Sequence, residues 1–277
     1  MGTYYHGSVP DPTCAVTAAT DVLSDRWCWL VVQEIARGHR RFDALVAELG
    51  ISRKVLTERL GHLVSAGLVE RVPYQGNPLR HDYLLTPQGQ ALLPVLVGLQ
   101  DWGDRWVLGD GEPTATATDA DTRRVHALLG QRVPEIALTS TTGEPLRPGV
   151  LFAYPATSPP AVWSDVPGAA GCTLENRLFR DRIAEFAVPV QGVSTQRADE
   201  QRDFADRERI PFSLLSDADL QLAAALRLPT VRVADQTRLR RLVLVIDDDR
   251  RVAAVRYPVL DIADAVEWAR ATAGATA

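Results

Sequence analysis

The sequence predicts two domains, a small α+β unit followed by a larger α/β unit, and three observations carry that reading. The first hundred residues place apolar side chains at helical spacing and then give two short strand-like runs around a turn. Gly109 to Asp121, GDGEPTATATDAD, is polar, small and acidic without periodicity, which marks a linker. Beyond it apolar strands alternate with amphipathic helices, the rhythm of a layered sheet with helices on both faces. The division expected is residues 1–108, a linker at 109–121, and residues 122–277.

Taken in order, Thr13 is the expected cap of a first helix with Cys14 in its first turn. Arg26 to Ala36 forms an apolar helix, and Arg41 to Leu49 a second one closed by Gly50-Ile51. Ser52 then caps a helix to Ala66, in which Leu56, Leu60, Leu63 and Val64 recur at i, i+4, i+7 and i+8 and Gly67 gives the stop. Leu68 to Val72 and Asp82 to Leu85 flank the turn Gln75-Gly76-Asn77-Pro78 and read as a hairpin. Helix, turn, helix and hairpin in that order outline a winged helix-turn-helix. A helix beginning near Pro87 adds the stripe Leu92, Leu96, Leu99, Trp102 and Trp106, too large for so small a unit to hide, and is expected to make a homodimer, with packing inside the domain core as the alternative.

A winged helix presents one helix face and one basic loop to duplex DNA. The candidates on the helix are Ser52, Arg53, Lys54 and Thr57, with Arg59 and His62 at its flanks; the hairpin offers Asn77, Arg80 and His81, and Arg40 and Arg41 precede the second helix. A charged helix face by itself is usually only solvated. The whole chain carries a net charge of −5, yet between Arg26 and Asp82 nine bases stand against six acids, a local excess of +3. So few phosphate contacts imply salt-dependent binding to two half-sites by a dimer.

Composition sets outer limits. With 46% apolar and 23% charged residues the chain reads as ordinary soluble protein; no apolar run approaches a membrane span, and MGTYYHGSVPDP lacks the features of a secretory signal, so a cytoplasmic location without membrane contact is expected. Cys14, Cys28 and Cys172 are too few and too scattered for a disulfide scaffold or a zinc site; no metal and no cofactor is expected. Lys54 is the single lysine, read as the coding bias of a GC-rich bacterium.

In the second part, helices are expected at Thr122–Leu129, Thr173–Phe186, Arg197–Arg207, Asp219–Arg227 and Ile262–Ala271. Strands are expected at Gly149–Tyr154, Val188–Val193, Arg241–Ile246 and Arg251–Tyr257. Cys172 stands at the first turn of a helix after a glycine-containing loop, where the helix dipole and free N–H groups favour a thiolate; a buried small hydrophobe is the alternative.

Two resemblances sharpen this. Cys14, Trp27, Arg40-Arg41-Phe42 with Leu45, and Leu56-Thr57 through Arg59-Leu60, Leu63 and Gly67 to Arg71 resemble the HxlR-type branch of the MarR-like winged-helix regulators. The resemblance implies a homodimeric transcription regulator on a pseudo-palindromic operator of double-stranded DNA, with Cys14 as a redox- or electrophile-sensing thiol. The run Gly171-Cys172-Thr173, Glu175, Phe179-Arg180-Asp181, Gly192-Val193-Ser194, Pro211-Phe212, Leu215-Ser216-Asp217 and Arg241 before Leu244-Val245-Ile246-Asp247 resembles a bacterioferritin-comigratory-type peroxiredoxin of thioredoxin-like α/β fold. That resemblance implies a catalytic Cys172 that attacks peroxides, assisted by Arg241. The chain departs from the pattern: Ala156 to Ala170 is inserted after Tyr154-Pro155, Ala169 replaces the loop threonine, and Arg177 stands where a resolving cysteine often lies. Loss of one such donor costs roughly a hundred- to a thousandfold in rate, so a slow, oxidisable thiol is expected, with an external thiol as its reductant. Cys28, between Trp27 and Trp29, reads as packing. Two functions compete: a DNA-binding regulator responsive to oxidants through cysteine, and a thiol peroxidase carrying a DNA-binding module.

Overall fold

A computed structural model of the chain describes residues 14–157, 163 and 165–276. Its contacts fall into two compact units, Met1–Gln90 and Ala91–Ala277. Thr13, the expected cap of the first helix, lies outside the described residues; Cys14 itself occupies the N-cap position of α1 (Ala15–Val22).

In the first unit, α2 (Arg26–Ala36), α3 (Phe42–Leu49) and α4 (Arg53–Ser65) are followed by β1 (Val69–Gly76), β2 (Leu79–Leu85) and the single turn α5 (Pro87–Gln90). Asp25 caps α2 by accepting from the Trp27 and Cys28 amides at 2.9 and 3.1 Å, and Ser52 caps α4 by accepting from Val55 N at 3.3 Å. Leu56, Leu60 and Leu63 bury the inner face of α4 against a core that includes Cys28, Val31, Val32 and Leu45. The strands run longer than the sequence suggests: β1 and β2 pair antiparallel from Val69–Leu85 to Gly76–Leu79, leaving only Asn77-Pro78 as the turn. The exposed outer half of this ribbon has no buried face, so apolar periodicity ends before the strands do.

The second unit begins with α6 (Leu93–Trp106), then α7 (Asp119–His126), the short β3 (Thr139–Ser140), β4 (Gly149–Ala153), α8 (Cys172–Asp181), β5 (Val190–Ser194) and α9 (Ala198–Glu208). β6 (Leu214–Ser216), α10 (Gln221–Leu226), the hairpin β7 (Thr230–Val233) and β8 (Gln236–Leu239), β9 (Leu242–Ile246), β10 (Val252–Arg256) and α11 (Ile262–Thr276) complete it. A six-stranded sheet has the order β10-β9-β4-β5-β6-β3, with β4, β5 and β6 parallel and β9 antiparallel to β4, the thioredoxin-like arrangement that the sequence suggested. β4 and β9 are buried along their whole length. Their odd and even residues face opposite layers, and Val150, Phe152, Val243 and Val245 pack with Cys172, Phe179, Phe204, Ala265 and Ala269.

The start of the second unit differs from the sequence reading. The inner face of α6, Leu93, Val97, Asp101 and Asp104, is buried, and α6 packs on α10 and β7. Leu99, Trp102 and Trp106 from the predicted stripe are 52–58% exposed and are joined by Val95. Segment 109–118 is not a free tether either: Ala115 is buried, and Thr118 caps α7 in a reciprocal bond with Asp121.

Asp121 is fully buried and ties this region together. It accepts from Arg124 Nη2 and from Arg240 Nη1, each at 2.5 Å, while Arg124 also forks onto Asp104 of α6 at 2.8 and 2.7 Å. Breaking such a network from one side leaves buried charge uncompensated. Asp121→Ala should therefore cost roughly 3 to 5 kcal/mol, read as a lowered urea midpoint for the second unit, with Asp121→Asn milder.

Candidate functional site

The α4 face expected to meet DNA is open. Ser52, Arg53, Lys54 and Thr57 are exposed; Arg53 Nη1 donates to Asp43 at 2.7 Å and its guanidinium lies 4.8 Å over the Phe42 ring. That ion pair is more than two-thirds exposed on both sides, so exchanging Asp43 for a phosphate costs little. Arg40 and Arg41 are exposed at the entry to α3, with Arg41 stacked 4.6 Å over Tyr74 of the ribbon. Asn77 and Arg80 are exposed at the ribbon tip and His81 is half-buried.

Two candidates are spent inside the fold. Arg59 Nε donates to Asp25 at 2.6 Å, joining α4 to the cap of α2, and His62 Nε2 meets the Val22 carbonyl at 2.7 Å. Both sit on the flank of α4 turned toward α1 and α2, and their role is to fix that helix. Tyr74, which orients Arg41, was missed because an exposed aromatic on a strand reads equally as a pairing residue.

In the second unit the protein brings Cys172 and Arg241 together as expected. Gly171 precedes α8 at φ 101°, a conformation L side chains rarely adopt, and a Cβ there would meet Ile262 Cδ1 at 2.7 Å; this turn sets Cys172 at the helix start. Cys172 is 2% exposed, with Sγ 3.3 Å from Arg241 Nη2 and 3.6 Å from the Ala169 carbonyl, to which it donates. Arg241 also donates to Glu175 at 2.8 Å and to the Gly168 and Ala170 carbonyls at 3.0 and 3.1 Å. Glu175, one helical turn after the cysteine, is the member that residue-by-residue reading left without a role; the i, i+3 spacing was the available signal.

Burial pushes the Cys172 thiol up to about 11, against the pull of Arg241 and the Ala156 amide, while Glu175 adds to the rise. Burial likewise lifts Glu175 to about 7 despite Arg241. The guanidinium is thus shared between a thiol, a carboxylate and two carbonyls, and Ala169 itself brings no hydroxyl where the resembled loop carries a threonine. Arg177 is exposed and forks onto Glu208 at 2.7 and 3.0 Å, a surface ion pair in place of a resolving thiol. Cys14 contrasts with this: the Thr17 hydroxyl and the first-turn amides hold its thiol below the usual range. Cys28 is fully buried and pushed up by that burial.

At pH 8 alkylation should proceed fastest at Cys14 and more slowly at Cys172, with Cys28 last. Because the Cys172 value is raised, its rate should keep climbing toward pH 11, while that of Cys14 levels off earlier. Peptide mapping after timed iodoacetamide quenches gives both orders; equal rates at Cys14 and Cys172 would contradict the burial argument.

Comparison with known proteins agrees with both halves. A family model described as HxlR-like helix-turn-helix matches residues 22–110, and one described as the AhpC/TSA family matches residues 127–255. An HTH-type transcriptional regulator of Mycobacterium tuberculosis is 36% identical over 137 residues, 47% of this chain and 85% of the relative. A putative peroxiredoxin of the same species is 34% identical over 137 residues, 46% of this chain and 82% of the relative. The crystal structure of the peroxidoxin BcpB from Mycobacterium tuberculosis is similar at 32% identity and a TM-score of 0.45, covering 54% of this chain and 97% of that one. The chain belongs to the HxlR-like helix-turn-helix regulators through its N-terminal part and to the AhpC/TSA peroxiredoxin family through its C-terminal part.

Proposed function

We propose that this protein is a homodimeric, DNA-binding transcriptional regulator of the bacterial cytoplasm whose output responds to oxidants through its thiols. The carrying observation is the open face of α4: Ser52, Arg53, Lys54 and Thr57 exposed on a helix that Asp25, Arg59 and His62 lock from behind. A helix held from behind, with exposed polar side chains at its N-terminal half, is what base reading in a major groove requires. Two such helices in a dimer would enter successive grooves roughly 34 Å apart, with the ribbon tips at Asn77 and Arg80 on the neighbouring backbone. The exposed row Val95, Leu99, Trp102 and Trp106 on α6 supports self-association. Among the described residues no helix is long and apolar enough to cross a membrane.

The thiols suit slow signalling. Cys172 has the Arg241 partner that peroxide attack needs but is buried and mostly protonated near neutral pH. Cys14 is more accessible and its thiol is held below the usual range by the Thr17 hydroxyl and the first-turn amides. The Cys172–Arg241–Glu175 cluster also favours a second reading, a thiol peroxidase drawing on an external thiol as reductant and carrying a DNA-binding module. Peroxide consumption with a dithiol reductant separates them: rapid turnover abolished by Cys172→Ser would make the enzyme the primary function.

For the regulator, Lys54→Ala and Arg53→Ala should each weaken binding to an upstream promoter fragment by roughly 1 to 3 kcal/mol where they reach bases, and mainly lower the salt slope where they meet phosphates. Anisotropy titrations at two salt concentrations give both quantities. Absence of specific binding by the intact protein would count against the regulator itself.

A further inference from the structure

Segment 109–118, read in the sequence as a tether, is bonded to the loop that carries the thiol. The Ala115 amide donates to the Pro167 carbonyl at 2.9 Å, and the Ala115 side chain is buried with Val166, Ala169 and Val231. The Thr116 carbonyl accepts from the Tyr257 hydroxyl at 3.2 Å. A Cβ on Gly168 would meet Thr116 Cγ2 at 2.8 Å, so segment and loop touch without spare volume. From the opposite side Arg241 holds the same loop by the Gly168 and Ala170 carbonyls while reaching Cys172 Sγ.

Both ends of the segment are anchored. At its start the Gly111 amide donates to the Arg105 carbonyl of α6 at 3.0 Å, and Arg105 Nε returns a bond to the Gly111 carbonyl. At its end Thr118 caps α7, whose Asp121 and Arg124 join Arg240 to Asp104 of α6. The chain therefore runs from α6 across the thiol loop and back to the residue beside Arg241.

We propose that residues 109–118 form a redox strap: the Cys172 loop opens to a hydroperoxide only when the Ala115–Pro167 link releases, oxidation of Cys172 captures the released state, and release frees α6, the helix that follows the winged-helix unit in the chain. The proposal rests on the regulator reading above and names how its thiol is regulated.

In the chemical step the Cys172 sulfur attacks one peroxide oxygen. The S–O bond forms and the O–O bond breaks, the sulfur is oxidised by two electrons and the peroxide reduced, and the thiol proton leaves with the departing oxygen as water or an alcohol. The product carries an added oxygen on a residue that is 2% exposed, where extra volume forces backbone shifts. With the loop released and water admitted, the sulfenic acid passes its remaining proton to that water, and the resulting sulfenate offers Arg241 a charged acceptor, stronger than the two carbonyls it now holds. Arg241 drawn to the sulfenate leaves Gly168 and Ala170 without their inner hold, and the strap loses the loop against which it is bonded.

Hydrogen–deuterium exchange of the full-length protein carrying Cys14→Ser, reduced and after one equivalent of hydrogen peroxide, tests this when peptide masses and promoter affinity are read on the same samples. The expected result is one added oxygen on Cys172, exchange across 109–118 faster by roughly tenfold, and a changed affinity, with none of the three in Cys172→Ser. Tyr257→Phe, which removes the hydroxyl that donates to Thr116 and also meets Arg240, and Gly168→Ala, which drives Thr116 off the loop, should move the reduced protein toward the oxidised exchange pattern. Oxygen on Cys172 and altered affinity with unchanged exchange at 109–118 would overturn the strap and leave the redox regulator standing. An oxidised Cys172 without any change in affinity, or no oxygen on Cys172, would overturn the strap and the Cys172 part of the regulator reading together.

Discussion

Arg240 and Arg241 are consecutive residues on the extended segment entering β9, so their side chains leave the backbone on opposite sides. Arg241 turns to the thiol loop and holds Glu175, Gly168, Ala170 and Cys172; Arg240 turns to α7, bonding Asp121 and the Thr230 carbonyl. Both guanidinium groups are almost fully buried. Their desolvation is offset only while every partner stays in place, which makes the position of α6, α7 and the thiol loop mutually dependent. Buried ion pairs of this kind contribute little net stability compared with apolar packing. What they supply is a single permitted arrangement, and that is the property a signalling site needs.

α6 belongs to two contexts at once. The HxlR-like family match runs through residue 110 and so includes it, whereas its buried face, Leu93, Val97, Asp101 and Asp104, packs within the second unit. Burial lifts the Asp101 carboxyl to about 6 even with Arg240 nearby, a sign of how dry that contact is. The outer face keeps Leu99, Trp102 and Trp106 in the open. One side of this helix is thus committed to the thiol-bearing unit while the other is exposed.

Much of this was legible in the residues. Leu56, Leu60 and Leu63 announce α4 because a buried helix face must recur at 3.6 residues, and Ser52 announces its cap because few other side chains satisfy free amides. The core strands of the sheet were found from their apolar runs. β3, β6, β7 and β8 were not, since strands of two to four residues carry no periodicity. The direction in which Arg59 and His62 point was also hidden: both lie on the flank of α4, where neighbouring elements and not spacing decide between solvent and core. Segment 109–121 misled for a related reason. Small and acidic residues suit a tether, but Ala115 is small enough to be buried and Asp121 needs a cation, Arg240, that stands far along the chain. Pairings of that kind are set by topology and leave no local mark.

In the regulator we propose, the chemical state of Cys172 is linked to the grip of the winged-helix unit on DNA. The most direct measurement is the affinity of full-length Cys14→Ser protein for its promoter fragment, reduced and with Cys172 carrying one added oxygen by mass, at fixed salt. A difference of roughly tenfold between the two states is expected, within the usual range of coupling between sites. Equal affinity in both states, with Cys172 demonstrably oxidised, would contradict it.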